Sequence, residues 1–197
     1  MSWIKTNHSS ITNLITPKKE LHSSLINITE VLPNFHSIQY YTDGSYQPDI
    51  GTNKMHMGYG WTTSNLDELN VAYHGSLQYF PSSVKAEIMA ILTALITAPF
   101  GGLIMINTDS QAAIDAYHKS ANLSSISPQR YNKTNNNTLW TSIHHIILTL
   151  ILLNSTTLRR ILVIHPMILQ ALMQKKEDLH NCQLRSYKRI YRIKLSR

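Results

Sequence analysis

The chain has 197 residues, which suits one domain with extensions and is long enough to bury a core. Its net charge of +7 suits a polyanionic partner such as a nucleic acid, although a solvated basic tail has the same effect on charge. The single cysteine, Cys182, excludes a disulfide framework and is typical of a reducing compartment. Residues 1–10 lack the pattern of a secretory signal, and the longest apolar run is far below the roughly 20 residues that span a membrane. We therefore expect a monomeric, intracellular protein, cytoplasmic or nuclear, that is not secreted and contacts no membrane.

The first part of the chain divides into a weakly patterned stretch and a series of predicted strands. Residues 1–35 are polar and interrupted by prolines, so we interpret them as a poorly patterned N-terminal extension. Strands are predicted over 38–42, 58–63 and 71–77, and the first is predicted to end in a turn at Asp43-Gly44. Three strands in succession favour an antiparallel meander.

Helices and strands then alternate. Ser82 or Ser83 is predicted to cap a helix with apolar residues at helical spacing, which ends at Pro99. Further elements are predicted as a strand over 103–106, a short helix over 110–119 capped by Asp109 or Ser110, a polar loop over 120–137, a helix over about 138–153 and a strand over 158–164. This order predicts an α/β fold with a mixed sheet.

Three short acidic motifs follow one another along the chain. They are Tyr41-Thr42-Asp43-Gly44-Ser45, Lys85-Ala86-Glu87-Ile88-Met89-Ala90 and Asn107-Thr108-Asp109-Ser110-Gln111. Alone, Asp43 is explained as a turn residue, Glu87 as a solvated helix position and Asp109 as a helix cap. Together they indicate more, because the strands before Asp43 and Asp109 are the most apolar and are expected to be neighbours at the sheet centre.

The helix that carries Glu87 has to pack across the same sheet, so the three carboxylates are expected to converge at the strand ends. Carboxylates so close together repel one another, and divalent cations with oxygen ligands relieve the repulsion. The pattern therefore predicts a two-ion site for Mg²⁺, with Mn²⁺ as an alternative, of the kind that serves phosphoryl displacement.

With Gly58-Tyr59-Gly60-Trp61 and Leu139-Trp140, these motifs resemble the type 1 ribonuclease H family, in particular its retroelement-associated domains. The resemblance covers about residues 36–165. It implies a ribonuclease H-like fold, with a five-stranded mixed sheet that is antiparallel in its first three strands and flanked by helices. It also implies hydrolysis of the RNA strand of RNA–DNA hybrids, and a reverse transcriptase as partner in an ancestral polyprotein.

The same resemblance assigns roles to individual residues. Asp43, Glu87 and Asp109 would be metal ligands and the catalytic core, with His165 as a mobile catalytic histidine or, alternatively, a surface histidine at a strand end. Substrate contacts would lie at Gly44, Ser45 and Gln111. An amide both donates and accepts, so Gln111 suits a 2′-hydroxyl, although a solvated residue of a first helical turn explains it equally well.

After His165 the sequence departs from the family. The family continues with a turn and a helix whose Ala-Asp pair supplies a fourth carboxylate, whereas here Pro166-Met167-Ile168-Leu169 follows. Asp178 or Glu177 would have to substitute as the fourth ligand. Back-translation with one T restored after the histidine codon recovers a His-Ser turn and an Ala-Asp pair, and our hypothesis is a frameshift that makes 166–197 a divergent basic segment.

This departure leaves two functions open, an active hybrid-specific endonuclease and a catalytically impaired nucleic-acid-binding module or retroelement remnant. For binding, the basic and aromatic residues that flank the polar loop are the candidates, together with the tail from Lys188 to Arg197. The loop residues are Lys119, Arg130, Lys133 and Trp140.

Overall fold

The structure is a computed structural model that describes residues 19–32, 35–48, 55–64, 69–78, 80–99, 102–121, 126–152 and 163–166, with the single residues 9, 11 and 66. The helices are α1 (Lys19–Val31), α2 (Ser83–Thr97), α3 (Gln111–Ser120), α4 (Pro128–Lys133) and α5 (Asn137–Leu152). The strands are β1 (Ser37–Pro48), β2 (Met55–Ser64), β3 (Ala72–Leu77), β4 (Leu103–Thr108) and β5 (Val163–Pro166). None of the helices in this part of the chain has both the length and the apolarity to span a bilayer.

The strands form one five-stranded mixed sheet in the order β3-β2-β1-β4-β5. β1 to β3 are antiparallel, while β4 is parallel to both β1 and β5. The predicted α/β fold with a five-stranded mixed sheet is therefore confirmed. The two most apolar strands are neighbours in the sheet, as expected, because β1 pairs with β4 along its first half.

The predicted turn at Asp43-Gly44 is wrong. β1 continues through both residues, with Asp43 opposite Gly60 and Gly44 opposite Tyr59. An Asp-Gly pair favours a turn because glycine adopts unusual backbone conformations. Here a glycine is required because helix α2 comes very close to β1 at this position. No sequence pattern within β1 indicates that approach.

Helix α2 is the centre of the core. Every residue from Ala86 to Thr97 is buried, because α2 packs on β1 and β2 of the sheet and also against α1 and α5. Its apolarity on all sides is typical of a helix without a solvent face. Ser82 caps it, since its hydroxyl accepts a hydrogen bond from the Lys85 N–H at 3.3 Å, as one of the two predicted caps.

Two helices lie where sequence analysis predicted none. Helix α1 falls inside the predicted extension over 1–35, and Leu25 and Leu32 are fully buried in the same core as α2. Its apolar face is small and interrupted by Ser23, Ser24 and Asn27, so hydrophobic periodicity did not indicate a helix. Helix α4 interrupts the predicted polar loop, with Pro128 at its first position, which is favourable for a helix start.

Trp140 belongs to the core rather than to a binding surface. Its side chain is 1% exposed, and its ring centroid lies 6.1 Å from that of Tyr117 on α3. The prediction that Trp140 helps to form a nucleic-acid contact is therefore wrong, because its indole is covered where α3 packs on α5.

Candidate metal centre

The parallel pairing of β1 with β4 brings two of the carboxylates together. The register pairs Thr42 with Thr108 as the last pair of this ladder. Asp43 and Asp109 are the residues that follow these two threonines in sequence. Because parallel strands run in the same direction, these two residues lie side by side where the pairing of β1 with β4 ends, although β1 itself continues to Pro48. Ligands commonly bind at this edge in open α/β sheets.

Side chains next to the carboxylates tie β1 and β4 to each other. The Thr42 hydroxyl donates a hydrogen bond to the Asn107 carbonyl at 3.3 Å, and the Asn107 amide donates to the Tyr40 carbonyl at 3.1 Å. Thr42 and Asn107 are both buried, so water competes little for these bonds. Sequence reasoning missed this supporting role, for which the polar residues inside apolar strands were the available signal.

Asp109 stands at the junction of β4 and α3. The Ser110 N–H donates to the Thr108 hydroxyl at 3.2 Å, and the Ser110 hydroxyl in turn accepts from the Ala113 N–H at 3.3 Å. Of the two predicted caps, Ser110 is therefore the one that caps the helix. Asp109 directly follows β4 and is exposed to solvent.

Glu87 reaches the same place from α2, one turn after the helix begins. Its side chain is only 7% exposed, which is unusual for a carboxylate and calls for a nearby compensating group. Gly44 lets α2 come close enough, because a Cβ atom there would lie 2.7 Å from the Ala86 carbonyl carbon and 2.9 Å from the Glu87 Cα. The strand and the helix thus touch main chain to main chain beside Glu87.

Together the three carboxylates form a compact cluster. Asp43, Glu87 and Asp109 each offer an oxygen, and these atoms all lie within 4.8 Å of one another. Glu87 is buried, Asp43 is half-buried and Asp109 is exposed, so the cluster is closed on the α2 side and open beyond Asp109. An all-oxygen, anionic donor set fits Mg²⁺ or Mn²⁺, which prefer carboxylates and keep some water ligands. The expected convergence is found, while metal binding itself stays a prediction.

The other predicted site residues lie nearby without a demonstrated role. Ser45 is exposed on β1, and its hydroxyl donates to the Gly58 carbonyl at 3.4 Å. Gln111 is exposed as the first residue of α3, and its amide donates to the Asp115 carboxylate at 2.9 Å. For Ser45, Gln111 and Gly44, substrate contact stays a prediction.

His165 lies in β5, where its backbone pairs with Asn107 of β4. This register puts it one strand away from the Asp109 end of β4. Its catalytic role stays a prediction, since the structure describes only the backbone there. The predicted fourth ligands, Asp178 and Glu177, and the proposed frameshifted segment from residue 167 onwards lie outside the described residues.

Known proteins resemble this chain in structure more than in sequence. A scan of protein-family profiles and a search of curated proteins both give no match. A foamy viral protease-reverse transcriptase solved with double-stranded DNA matches with 20% identity and a TM-score of 0.50, over 68% of this chain and 84% of that chain. The same viral enzyme solved with an RNA/DNA hybrid matches with 19% identity and a TM-score of 0.50, over 75% of this chain and 19% of that chain.

LC11-RNase H1, isolated from compost by a metagenomic approach, has 16% identity and a TM-score of 0.42 over 73% of this chain and 92% of its own. At such identities the comparisons speak for the fold alone. The sheet order and the central helix, together with the two foamy viral matches, define a protein with a ribonuclease H-like fold. The predicted resemblance is thereby confirmed at the level of the fold.

Proposed function

We propose that this protein is a metal-dependent endonuclease that hydrolyses the RNA strand of RNA–DNA hybrids. The main supporting observation is the cluster of Asp43, Glu87 and Asp109, whose oxygens lie within 4.8 Å of one another where the parallel pairing of β1 with β4 ends. The ribonuclease H-like fold supports the same reaction class. A foamy viral enzyme of similar fold was solved with an RNA/DNA hybrid, which supports the choice of substrate.

Asp43, Glu87 and Asp109 would hold two Mg²⁺ ions, or Mn²⁺ ions in their place. When bound, such ions lower the pKa of water and stabilise the negative charge on the leaving oxygen of a phosphodiester. Glu87 lies on the closed side of the cluster, and Asp43 is half-buried beside it. Asp109 lies on the open side, where the RNA backbone would enter, and hydrolysis would leave a 5′-phosphate on the product.

The surroundings of the cluster support recognition of a hybrid. Gln111 donates its amide to Asp115, which orients the side chain and leaves its oxygen to accept a bond from a ribose 2′-hydroxyl. Gly44 and Ser45 would contact the same backbone from β1. Exposed basic side chains on α3 and α4 would add electrostatic affinity, namely Lys119, Arg130 and Lys133.

His165 would assist proton transfer or product release from the neighbouring strand β5. Asp178 or Glu177 would substitute for the fourth carboxylate of the family. A reverse transcriptase would have been the partner in an ancestral polyprotein, and the isolated chain would act as a monomer. Each of these assignments depends on the resemblance rather than on the described contacts.

The second candidate is a catalytically impaired module that binds nucleic acid without cleaving it. The observation that favours it is the sequence after His165, where Pro166 and Met167 replace the expected turn. The loss of a fourth ligand would weaken one metal site more than the other. The coding DNA tests the frameshift, because the hypothesis fails if its codons cannot yield the Ala-Asp pair after insertion of one T.

The first experiment is cleavage of an end-labelled RNA–DNA hybrid by the full chain with Mg²⁺ or Mn²⁺. The test variant is Asp109→Asn and the matched control is Glu30→Gln, which neutralises an exposed carboxylate on α1. We expect metal-dependent cleavage of the RNA strand, loss of at least about two orders of magnitude in rate in Asp109→Asn, and no change in the control. Cleavage that persists in Asp109→Asn would contradict the proposal.

A second outcome separates the two candidates. If the wild-type chain is folded and binds the hybrid but does not cleave it with either metal, the impaired module is the correct function. A chain with the reading frame restored after His165 should then recover cleavage.

A further inference from the structure

A Cβ atom on Gly44 would lie less than 3.0 Å from main-chain atoms of another element, which is true of no other described glycine of the sheet. The position of a Cβ atom on Gly44 is occupied by the main chain of α2, 2.7 Å from the Ala86 carbonyl carbon and 2.9 Å from the Glu87 Cα. Real Cβ atoms essentially never come that close to another heavy atom. Main-chain atoms in the middle of a helix cannot turn aside as a side chain can, so the contact can be relieved only by moving α2 or β1.

Gly58 is the informative comparison, because it lies opposite Ser45 in the next strand. A Cβ atom there would meet the Ser45 hydroxyl at 2.8 Å and the Gly75 carbonyl oxygen at 4.0 Å. The hydroxyl is the end of a side chain that can rotate away. An alanine is therefore tolerable at Gly58, whereas at Gly44 it is not tolerable without a shift of the backbone.

The contact at Gly44 lies between two members of the carboxylate cluster. Asp43 is its neighbour in the strand, and Glu87 is the residue whose main chain it touches. The buried Trp61–Thr93 hydrogen bond of 3.2 Å ties α2 to the same sheet, and α1 and α5 also pack against α2. The helix therefore has little room to retreat, and the glycine sets how closely it can approach.

We propose that Gly44 is a positioning residue that sets the distance between the Asp43 and Glu87 carboxylates through main-chain contact of β1 with α2. The inference deepens the proposed function and rests on it, because the spacing matters only if the cluster binds metal. It differs from the role that the family resemblance implies, in which Gly44 contacts substrate. The two roles separate experimentally, because positioning acts on metal binding before any nucleic acid is present.

The test is Mn²⁺ binding to the full chain in the absence of nucleic acid, measured by titration with electron paramagnetic resonance. We expect Gly44→Ala to lower the Mn²⁺ affinity by about tenfold or more, as displaced supports of metal ligands do. Gly58→Ala is the control and should bind Mn²⁺ within about twofold of wild type, as for changes outside such a support. Far-UV circular dichroism establishes that each variant is folded.

A second substitution that lengthens a ligand tests whether Gly44→Ala acts by moving the carboxylates apart. Asp43→Glu lengthens one ligand by a methylene group, so it should lower affinity in the wild-type background. Combined with Gly44→Ala, it spans the gap that opens when α2 is pushed away, so the double variant should lose less than the product of the two single losses. Losses that simply multiply, or a folded Gly44→Ala with wild-type Mn²⁺ affinity, would overturn the inference.

If Gly44→Ala does not fold, Glu87→Asp tests the same contact with the glycine intact. Because α2 already touches Gly44, it cannot move closer to carry a shorter ligand to the metal, and we expect about a tenfold loss of Mn²⁺ affinity. Wild-type affinity in Glu87→Asp would overturn the inference. Absence of Mn²⁺ binding in the wild-type chain would instead overturn the proposed metal centre, so the two failures are distinguishable.

Discussion

The Trp61 indole donates a hydrogen bond to the Thr93 hydroxyl at 3.2 Å and so joins β2 to the helix that carries Glu87. The same hydroxyl donates to the Met89 carbonyl at 2.9 Å, or to the Ala90 carbonyl at 3.1 Å. Trp61 and Thr93 are both buried, so each partner depends on the other for this bond. The carboxylate site is thus anchored from inside the core as well as from the strand edge.

Removal of this bond should destabilise the fold. Trp61→Phe leaves a lone pair of the buried Thr93 hydroxyl without its donor, which costs about 1–3 kcal/mol of the free energy of unfolding. Urea denaturation measures the loss. Thr93→Ser keeps the acceptor and should be milder than Thr93→Val, which keeps the volume and removes it. Equal losses in these two variants would show that the bond is unimportant.

Metal binding should stabilise the protein through the three-carboxylate cluster. Mg²⁺ or Mn²⁺ at about 100 times its dissociation constant adds about 2.7 kcal/mol if the unfolded chain does not bind it. We expect the melting temperature to rise with metal and to fall again with a chelator. Asp109→Asn should abolish that rise, yet without metal it should be at least as stable as wild type, because one of three repelling charges is removed. A metal-free variant that melts well below wild type would contradict the repulsion.

The packing of α3 on α5 should make stability depend on pH near neutrality. His144 lies 2.8 Å from the Ser120 hydroxyl and stacks on Tyr117 with a centroid distance of 5.0 Å, and burial lowers its pKa below the ordinary 6.5. His144 therefore binds a proton more readily in the unfolded chain than in the folded one. The stability that the packed, neutral imidazole contributes is present above about pH 6.5 and is lost as the pH falls below it.

Unfolding free energies measured between about pH 5 and 8 test this dependence. His144→Gln should flatten the curve below the ordinary histidine pKa. A wild-type curve and a His144→Gln curve of the same shape would rule out the contribution of His144.

Helix α1 should be part of the stable domain. Leu25 is fully buried in the common core, so Leu25→Ala should lower the free energy of unfolding by about 2–5 kcal/mol. Asn27→Ala, at an exposed position of the same helix, should change it by no more than about 0.5 kcal/mol. A small effect of Leu25→Ala would mean that α1 is dispensable for folding.

Hybrid binding should weaken with salt, and the exposed cations of α3 and α4 should carry part of that dependence. Replacement of Lys119 and Arg130 by glutamine should weaken binding and reduce the slope of log affinity against log salt by about one for each phosphate that is no longer neutralised. Gln129→Ala is the neutral control on the same short helix. A slope that is unchanged in the double variant would exclude this surface from the interface.

Local patterns were sufficient for much of the fold. Ser82 and Ser110 cap helices, each as one of two predicted candidates, because a serine before an apolar helical period satisfies backbone donors that depend only on near neighbours. The apolar stretches that lead to Asp43 and Asp109 pair side by side, since the most buried strands occupy the sheet centre. The convergence of the three carboxylates could therefore be predicted from the sequence.

Elements whose stability comes from distant contacts were mispredicted. The turn at Asp43-Gly44, the unpatterned extension over 1–35 and the binding role of Trp140 all looked reasonable from their neighbours in sequence. Each is decided by a partner far along the chain, namely Ala86 and Glu87 for Gly44, the core around α2 for α1, and Tyr117 for Trp140.

By itself the sequence determined the order of the strands and of helices α2, α3 and α5, the sheet class and which carboxylates belong together, because hydrophobic periodicity and capping act over a few residues. Only the tertiary structure decided how close those carboxylates lie, which of them is buried, and why the glycine after Asp43 is a glycine. Those properties depend on the packing of main chain against main chain between Gly44 and Glu87, which are far apart in sequence, and steric exclusion at that range leaves no periodic trace in the chain.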